Sequence, residues 1–209
     1  MDSSGELYVI ADELRAIANL GLAFYKNDYD RERYEHVLAA SARLVAVLDY
    51  RALDEVLAVY RDNLNHLSPL VGAEAAVFRG DAILLIQRTD NGLWAMPGGL
   101  VDVGETAAEG AVRELWEEAG VRGSVARLIG IWDSRVVGSL VKAHMYHVCF
   151  EVNIGDATPS PSPEARAVGF FAEPDLPPIA PGHDVIIPVV FRLHRAGGEP
   201  WFDHRSPAR

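Results

Sequence analysis

Between Thr106 and Gly120 the chain carries a helix that demands two different surroundings at once. Thr106 with Glu109 three residues on is a capping-box start, and Gly120 is a C-terminal stop. At about 100° per residue, Ala108, Ala111, Val112, Leu115 and Ala119 share one side, which needs an apolar surface to lie on. Glu114, Glu117 and Glu118 share another, at i, i+3 and i+4. Three like charges so close repel one another. Near a helix C-terminus the macrodipole adds to that repulsion, so the patch calls for a cation. Gly110 is expected to leave space on the carboxylate side.

What precedes this helix has two textures. No proline occurs before Pro69, and residues 5–67 carry three helical stripes. Leu7, Ile10, Leu14, Ile17, Ala18 and Gly21 form the first. After a polar break at 26–30, where Asp28 or Asp30 could cap, come Tyr34, Val37, Leu38, Ser41 or Ala42, Val45 and Leu48. Leu53, Leu57, Tyr60 and Leu64 form the third. So small a bundle has little core of its own and is expected to lean on a neighbour or a second copy.

From Leu70 the pattern turns to short β-type runs. Ala73–Phe78 and Ala82–Gln87 flank Arg79-Gly80-Asp81, a hairpin signal. A polar loop from Arg88 and the tight Pro97-Gly98-Gly99 lead to the two-faced helix. Ser124–Asp133 reads as a strand, and Arg135–Val137 with Lys142–Val152 as a second hairpin. Ala167–Phe171 reads as a strand, Pro181–Arg195 as a helix and the tail as loop. The expected fold class is α+β, with a helical domain over 1–67 and a mixed β/α domain over 68–209.

The formal net charge is -11 and the sequence pI about 5.0. Bulk charge therefore disfavours nucleic acid and anionic membrane as partners. The N-terminus lacks the layout of a signal peptide, and no apolar run approaches a membrane span. A single cysteine, Cys149, rules out an intrachain disulfide and points to a reducing compartment, the cytoplasm.

Gly99 to Val121 resembles the Nudix box, G-x5-E-x7-R-E-U-x-E-E-x-G-U with U apolar. It does so at Gly99, Glu105, Arg113, Glu114, Leu115, Glu117, Glu118, Gly120 and Val121. The resemblance implies the Nudix α/β/α sandwich with a mixed sheet, and a hydrolase of nucleoside diphosphates linked to another moiety. It implies Glu114, Glu117 and Glu118 as ligands of a divalent metal, Mg2+ or Mn2+, with the Gly99 carbonyl as a further ligand. Oxygen donors suit such hard cations. Arg113 would orient the glutamates, and Glu105 would support that network. Family members take the general base from the box or from a later loop, so Glu118 and Glu164 both stand as candidates.

Other residues are less determined. Arg88, ending a strand, could reach a phosphate or sit in a surface salt bridge. Asp133 and Arg135 follow a strand where family members contact substrate, and His144 shares a strand face with Tyr146 and could line the pocket. Trp94 and Cys149 read as packing residues. Trp116, on neither face of the helix, could pack on the helical domain or stand exposed.

The N-terminal run Gly21, Leu22, Phe24, Lys26, Tyr29, Asp30, Arg33 and Tyr34 is similar to the helical domain preceding some Nudix domains. That group includes hydrolases of ADP-ribose and of CDP-choline, and its helical domain helps form a homodimer. The leading expectation is therefore metal-dependent cleavage of a nucleoside diphosphate-linked small molecule. A triphosphate house-cleaning enzyme is the alternative within the class. A non-catalytic ligand sensor that binds DNA is disfavoured by the intact box. It is also disfavoured by the acidic helical region, with 12 acidic against 7 basic residues up to position 68.

Overall fold

The structure is a computed structural model that describes residues 3–65, 67–139 and 143–204. The chain divides into two compact units, Met1–Pro69 and Leu70–Arg209.

The first unit is three helices: α1 (Ser3–Phe24), α2 (Asp28–Asp49) and α3 (Leu53–Asp62). Asn27, not either neighbouring aspartate, caps α2. Its side-chain oxygen accepts from the Asp30 N–H at 2.8 Å, and the αL turn at Tyr50 closes the helix. Small residues let α1 and α2 approach closely. Ala11, Ala18, Ala42 and Ser41 are all buried, and the Ser41 hydroxyl donates to the Ala11 carbonyl at 2.7 Å. Tyr34 lies over Gly21, where a Cβ would stand 2.2 Å from its ring. The expected α1 stripe is thus corrected. Ile10, Ile17, Leu20 and Phe24 stay exposed, because the face against α2 is the one with small side chains. In α3 the buried pair is Val56 and Tyr60, and Leu64 lies past the helix end.

The second unit has two sheets. One runs β5 (Gly98–Leu100), β1 (Leu70–Ala76), β7 (Met145–Asn153), β6 (Ser124–Asp133), β9 (Trp201–Phe202). It is mixed, with β1 parallel to β7 and β6 parallel to β9. The other is antiparallel: β3 (Ala82–Arg88) pairs with β2 (Phe78–Arg79), β4 (Trp94–Ala95) and β8 (Ala165–Ala172). Gly80 turns the expected hairpin with positive φ, but only β2 pairs across it, since β1 turns to β5 and β7 instead. Alternation along β3 shows the layering. Leu84 and Ile86 join the core under α4 (Ala107–Ala119), while Ile83 and Leu85 join the core under α6 (His183–Ala196). This is a helix–sheet–helix sandwich.

Two other expectations change. Ser134–Val137 is a one-turn helix, α5, rather than a strand: the Asp133 carboxylate accepts from the Arg135 N–H and Gly138 ends the turn in αL. The hairpin partner of β7 is β6, and Lys142 of the expected hairpin lies outside the described residues. In the tail, Trp201 and Phe202 add a short edge strand to β6. Among the described residues no helix is long and apolar enough to cross a membrane.

Candidate active site

The loop and helix from Gly98 to Gly120 form one ionic network. The capping box at Thr106 and Glu109 starts α4, with the Thr106 N–H donating to Glu109 Oε2 at 2.7 Å, and Gly120 stops it at φ +68°. Leu115 and Ala119 are fully buried against the sheet, which fixes the rotation of the helix and so the direction of its carboxylates. Gly110 proves packed rather than open, with Glu105 Oε1 and Val101 where a Cβ would go.

Arg113 is the hub. Its Nη2 donates to Glu105 Oε1 at 2.7 Å and to the Leu100 carbonyl at 2.8 Å, while Nη1 donates to Glu114 Oε1 and Glu117 Oε2, each at 2.8 Å. A lysine could not make these contacts, because only the planar fork reaches three carboxylates and the loop backbone together. Glu105 in turn accepts from the Asp102 N–H at 2.8 Å, so the loop and the helix share one guanidinium. Hydrogen bonds from Arg113 hold the Glu105 carboxyl below the usual range.

Glu118 stands apart from that network. It accepts from the Gly98 N–H at 2.9 Å. Burial above all, then the charges of Glu114 and Glu164, push its carboxyl up to about 7 against the pull of Gly98 and Arg88. Burial likewise raises Glu114. Among the described residues no three candidate ligands already surround a common metal position, because Arg113 and Gly98 hold the carboxylates. The donor chemistry nonetheless fits a hard cation. The carboxylates are oxygen donors clustered on one helix face, and two are raised by burial and like charge, which a cation relieves. The backbone already approaches them through the Gly98 N–H on Glu118. No side chain fits at Gly98, where a Cβ would stand 2.7 Å from the Ala73 carbonyl.

Beside the network lies a cleft of about 330 Å³ lined by Arg88, Gly98, Gly99, Met145, Pro181 and His183, among others. Arg88 reaches this wall while paired through two bonds, 2.8 and 3.0 Å, with Asp90. Glu164 is exposed on the approach to β8, and its charge is felt at both Glu114 and Glu118. Asp133, Arg135 and His144 do not line the cleft. Burial raises the Asp133 carboxyl, but bonds from Arg135 at 2.8 and 3.1 Å outweigh it and leave it at about 2. His144 Nε2 lies 3.3 Å away. These three form a cluster of their own at the end of β6. Tyr146 packs on His144 from the face of β7 opposite the cleft. Trp94 packs edge-on to Phe171, and Trp116 is half exposed beneath the Arg122 guanidinium.

Sequence reasoning missed the cleft floor. Glu74 Oε1 lies 2.6 Å from His147 Nδ1 and 3.6 Å from His183 Nε2, and all three residues line the cleft. Burial pushes the Glu74 carboxyl up, but His183 and the His147 bond outweigh it and leave it below the usual range, so it is ionised. Burial holds the His183 imidazole low. The signal was a charged residue inside the apolar run Ala73–Val77, and a histidine alternating with Met145 and Cys149 on a buried strand.

The fold, with a carboxylate-bearing helix beside a cleft, is that of a hydrolase of phosphoanhydrides. The NUDIX domain family model matches residues 69–190, and the model of a UDP-X-like N-terminal oligomerisation domain matches residues 6–60. The chain belongs to the Nudix family of hydrolases. YjhB of Bacillus subtilis (strain 168), whose name assigns it provisionally as an ADP-ribose pyrophosphatase, is 33% identical over 82% of this chain and 83% of its own length. The crystal structure of an ADP-ribose pyrophosphatase from Streptococcus suis superposes with TM-score 0.55 at 31% identity, covering 65% of this chain and 97% of that one. A UDP-X diphosphatase shares the fold over 96% of this chain and 99% of its own, with TM-score 0.62 at 24% identity.

Proposed function

We propose that the protein hydrolyses the pyrophosphate of ADP-ribose, giving AMP and ribose 5-phosphate. The observation that carries this reading is the intact Arg113-centred carboxylate network at the mouth of a small-molecule cleft. The choice of ADP-ribose rests on the relatives of that name. Glu114, Glu117, Glu118 and the Gly99 carbonyl would hold Mg2+ or Mn2+. The ion would neutralise the pyrophosphate oxygens and acidify the attacking water. Arg113 and Glu105 fix the carboxylates so that little reorganisation is needed. Arg88, on the cleft wall, faces the phosphates once Asp90 yields it. Glu164 takes the proton from the water as the water oxygen attacks phosphorus and the bridging oxygen leaves. What supports Glu164 over Glu118 is that Glu118 is drawn into the buried cluster, whereas Glu164 is solvent-facing and still close enough for its charge to act there.

A UDP-linked substrate is the second reading, favoured by the N-terminal family match and the UDP-X diphosphatase fold. CDP-choline and nucleoside triphosphates complete the set to be tried. The exposed α1 residues Ile17, Leu20 and Phe24 form an apolar face suited to a second copy, so the active species is a homodimer. Cys149, buried and unpaired, suits a reducing cytoplasm.

The decisive experiment is a hydrolysis panel of these compounds with Mg2+. Release of AMP from ADP-ribose at the highest kcat/KM supports the reading, and a flat panel or a preference for triphosphates sinks it. Glu164→Gln tests the base: it should lose about 10²–10⁴-fold in kcat while binding Mg2+ as before.

A further inference from the structure

The Glu74–His147 pair is not used by the ionic network. It lies on the α6 face of the sheet, where parallel β1 and β7 place it one residue pair outside the core positions Ala76 and Cys149. Both residues are at least nine-tenths buried, at 4% and 5% exposure. A buried carboxylate is costly unless its oxygens are satisfied, and among the described residues only one is. Oε1 takes His147 and faces His183, while Oε2 has no hydrogen-bond partner among the described residues. Nδ1 of His147 faces Glu74, and its other ring nitrogen, Nε2, likewise has no partner among the described residues. His183 cannot supply the need. Its Nδ1 accepts from the Met96 N–H at 3.3 Å, so its Nε2 carries the hydrogen that faces Glu74 Oε1.

Oε2 of the ionised Glu74 carboxylate is an acceptor, and Nε2 is the ring nitrogen of His147 left over for a ligand. A fixed negative charge on the cleft floor repels phosphate, and a carboxylate oxygen beside a ring nitrogen suits neighbouring hydroxyls, each of which can both donate and accept. We propose that Glu74 Oε2 and His147 Nε2 bind the vicinal hydroxyls of a ribose, holding the sugar on the cleft floor while its phosphates lie toward Gly99 and Arg88. The inference rests on the cleft being the nucleotide site, as proposed above. It adds what reads the ligand there: a diol, in either of the two riboses of ADP-ribose. Glu74 also orients the His147 ring, as carboxylates orient imidazoles elsewhere.

The test is equilibrium binding by calorimetry to the full chain, with AMP, 2′,3′-dideoxy-AMP, ribose 5-phosphate and 2-deoxyribose 5-phosphate as probes. Wild type is compared with His147→Asn, whose amide nitrogen keeps the Nδ1 contact to Glu74 but has nothing at Nε2, and with His147→Gln, whose amide reaches the Nε2 position. For AMP or for ribose 5-phosphate, losing the hydroxyl and His147→Asn should each weaken binding about tenfold without adding, and His147→Gln should recover part of the loss. Which probe responds tells which ribose is held. The inference is overturned if His147→Asn weakens the diol and deoxy probes alike, since that is a structural effect or contact to the base. It is also overturned if wild type binds neither product, or if the variant changes nothing. Should His147→Asn not fold, Glu74→Gln replaces it with the same expectations. Binding needs no turnover, so absence of ADP-ribose hydrolysis counts against the proposed function alone.

Discussion

Gly99 lies so close to Glu114 that a Cβ at position 99 would overlap the Glu114 carboxylate, so any side chain there must push that carboxylate aside. The glycine turns the loop carbonyls and the helix carboxylates into neighbours. In Gly99→Ala the Glu114 carboxylate, the far end of a side chain, gives way more readily than β5, which is held to β1. We expect kcat/KM to fall about 10²-fold, as for other displacements on the order of 1 Å, with the melting temperature little changed. Steady-state kinetics beside a thermal melt decide it, and an active alanine variant would mean the loop does not position the site.

Glu117→Gln and Glu118→Gln remove one donor each from the carboxylate patch. Each should cost at least about 10²-fold in rate and weaken Mg2+ binding, with circular dichroism unchanged. Full activity in both would end the metal assignment.

The raised Glu118 carboxyl has a pH signature. Its folded value, about 7, lies above the ordinary 4.5, so the folded state holds the proton more tightly than the unfolded chain. Without metal, stability is therefore lost as pH rises from about 4.5 to 7, by on the order of 3 kcal/mol from this group. Glu118→Gln should flatten that fall. In wild type, Mg2+ affinity should rise with pH across the same window, because binding the ion displaces the proton. Denaturant titrations at pH 5 and pH 8, with and without Mg2+, measure both; parallel curves for wild type and variant would refute it.

Gly21 and Tyr34 set the α1–α2 spacing. Alanine is the better helix former by about 1 kcal/mol, but its Cβ would overlap the ring near its root, which cannot swing aside cheaply. We expect Gly21→Ala to destabilise by about 1–3 kcal/mol net. Denaturation midpoints give the sign directly.

The apolar α1 face makes the homodimer testable. Ile17→Glu with Phe24→Glu should convert a dimer to a monomer in light scattering, without loss of helix signal. A wild-type monomer would remove the proposal.

The helix of the Arg113 network was legible because its cap, its stop and its two periodicities are all local to one short segment. The cleft floor was not. Glu74 and His147 are 73 residues apart and meet only through the parallel pairing of β1 and β7, which no local pattern encodes. The same blindness misplaced part of the α1 face, though Ala18 and Gly21 do lie against α2. Ile10 and Ile17 look like core, but a close helix pair is filled by Ala11, Ala18 and Ser41, and apolarity marked the face without a partner in the unit. The turn at Ser134 was missed because a side chain, Asp133, builds it, while β-type residues follow. Trp201 and Phe202 became a strand only because β6 offered an open edge.

Helix α6 begins in the cleft and runs through the core. His183 faces Glu74, Ile186 and Phe191 are fully buried, and the Leu193 carbonyl holds Arg127 at 2.7 Å from the far end of β6. A ligand resting on the first turn would therefore damp the motion of a rod whose other end is clamped. Its presence would be recorded as slowed amide exchange near Leu193, in a part of the molecule the ligand never touches.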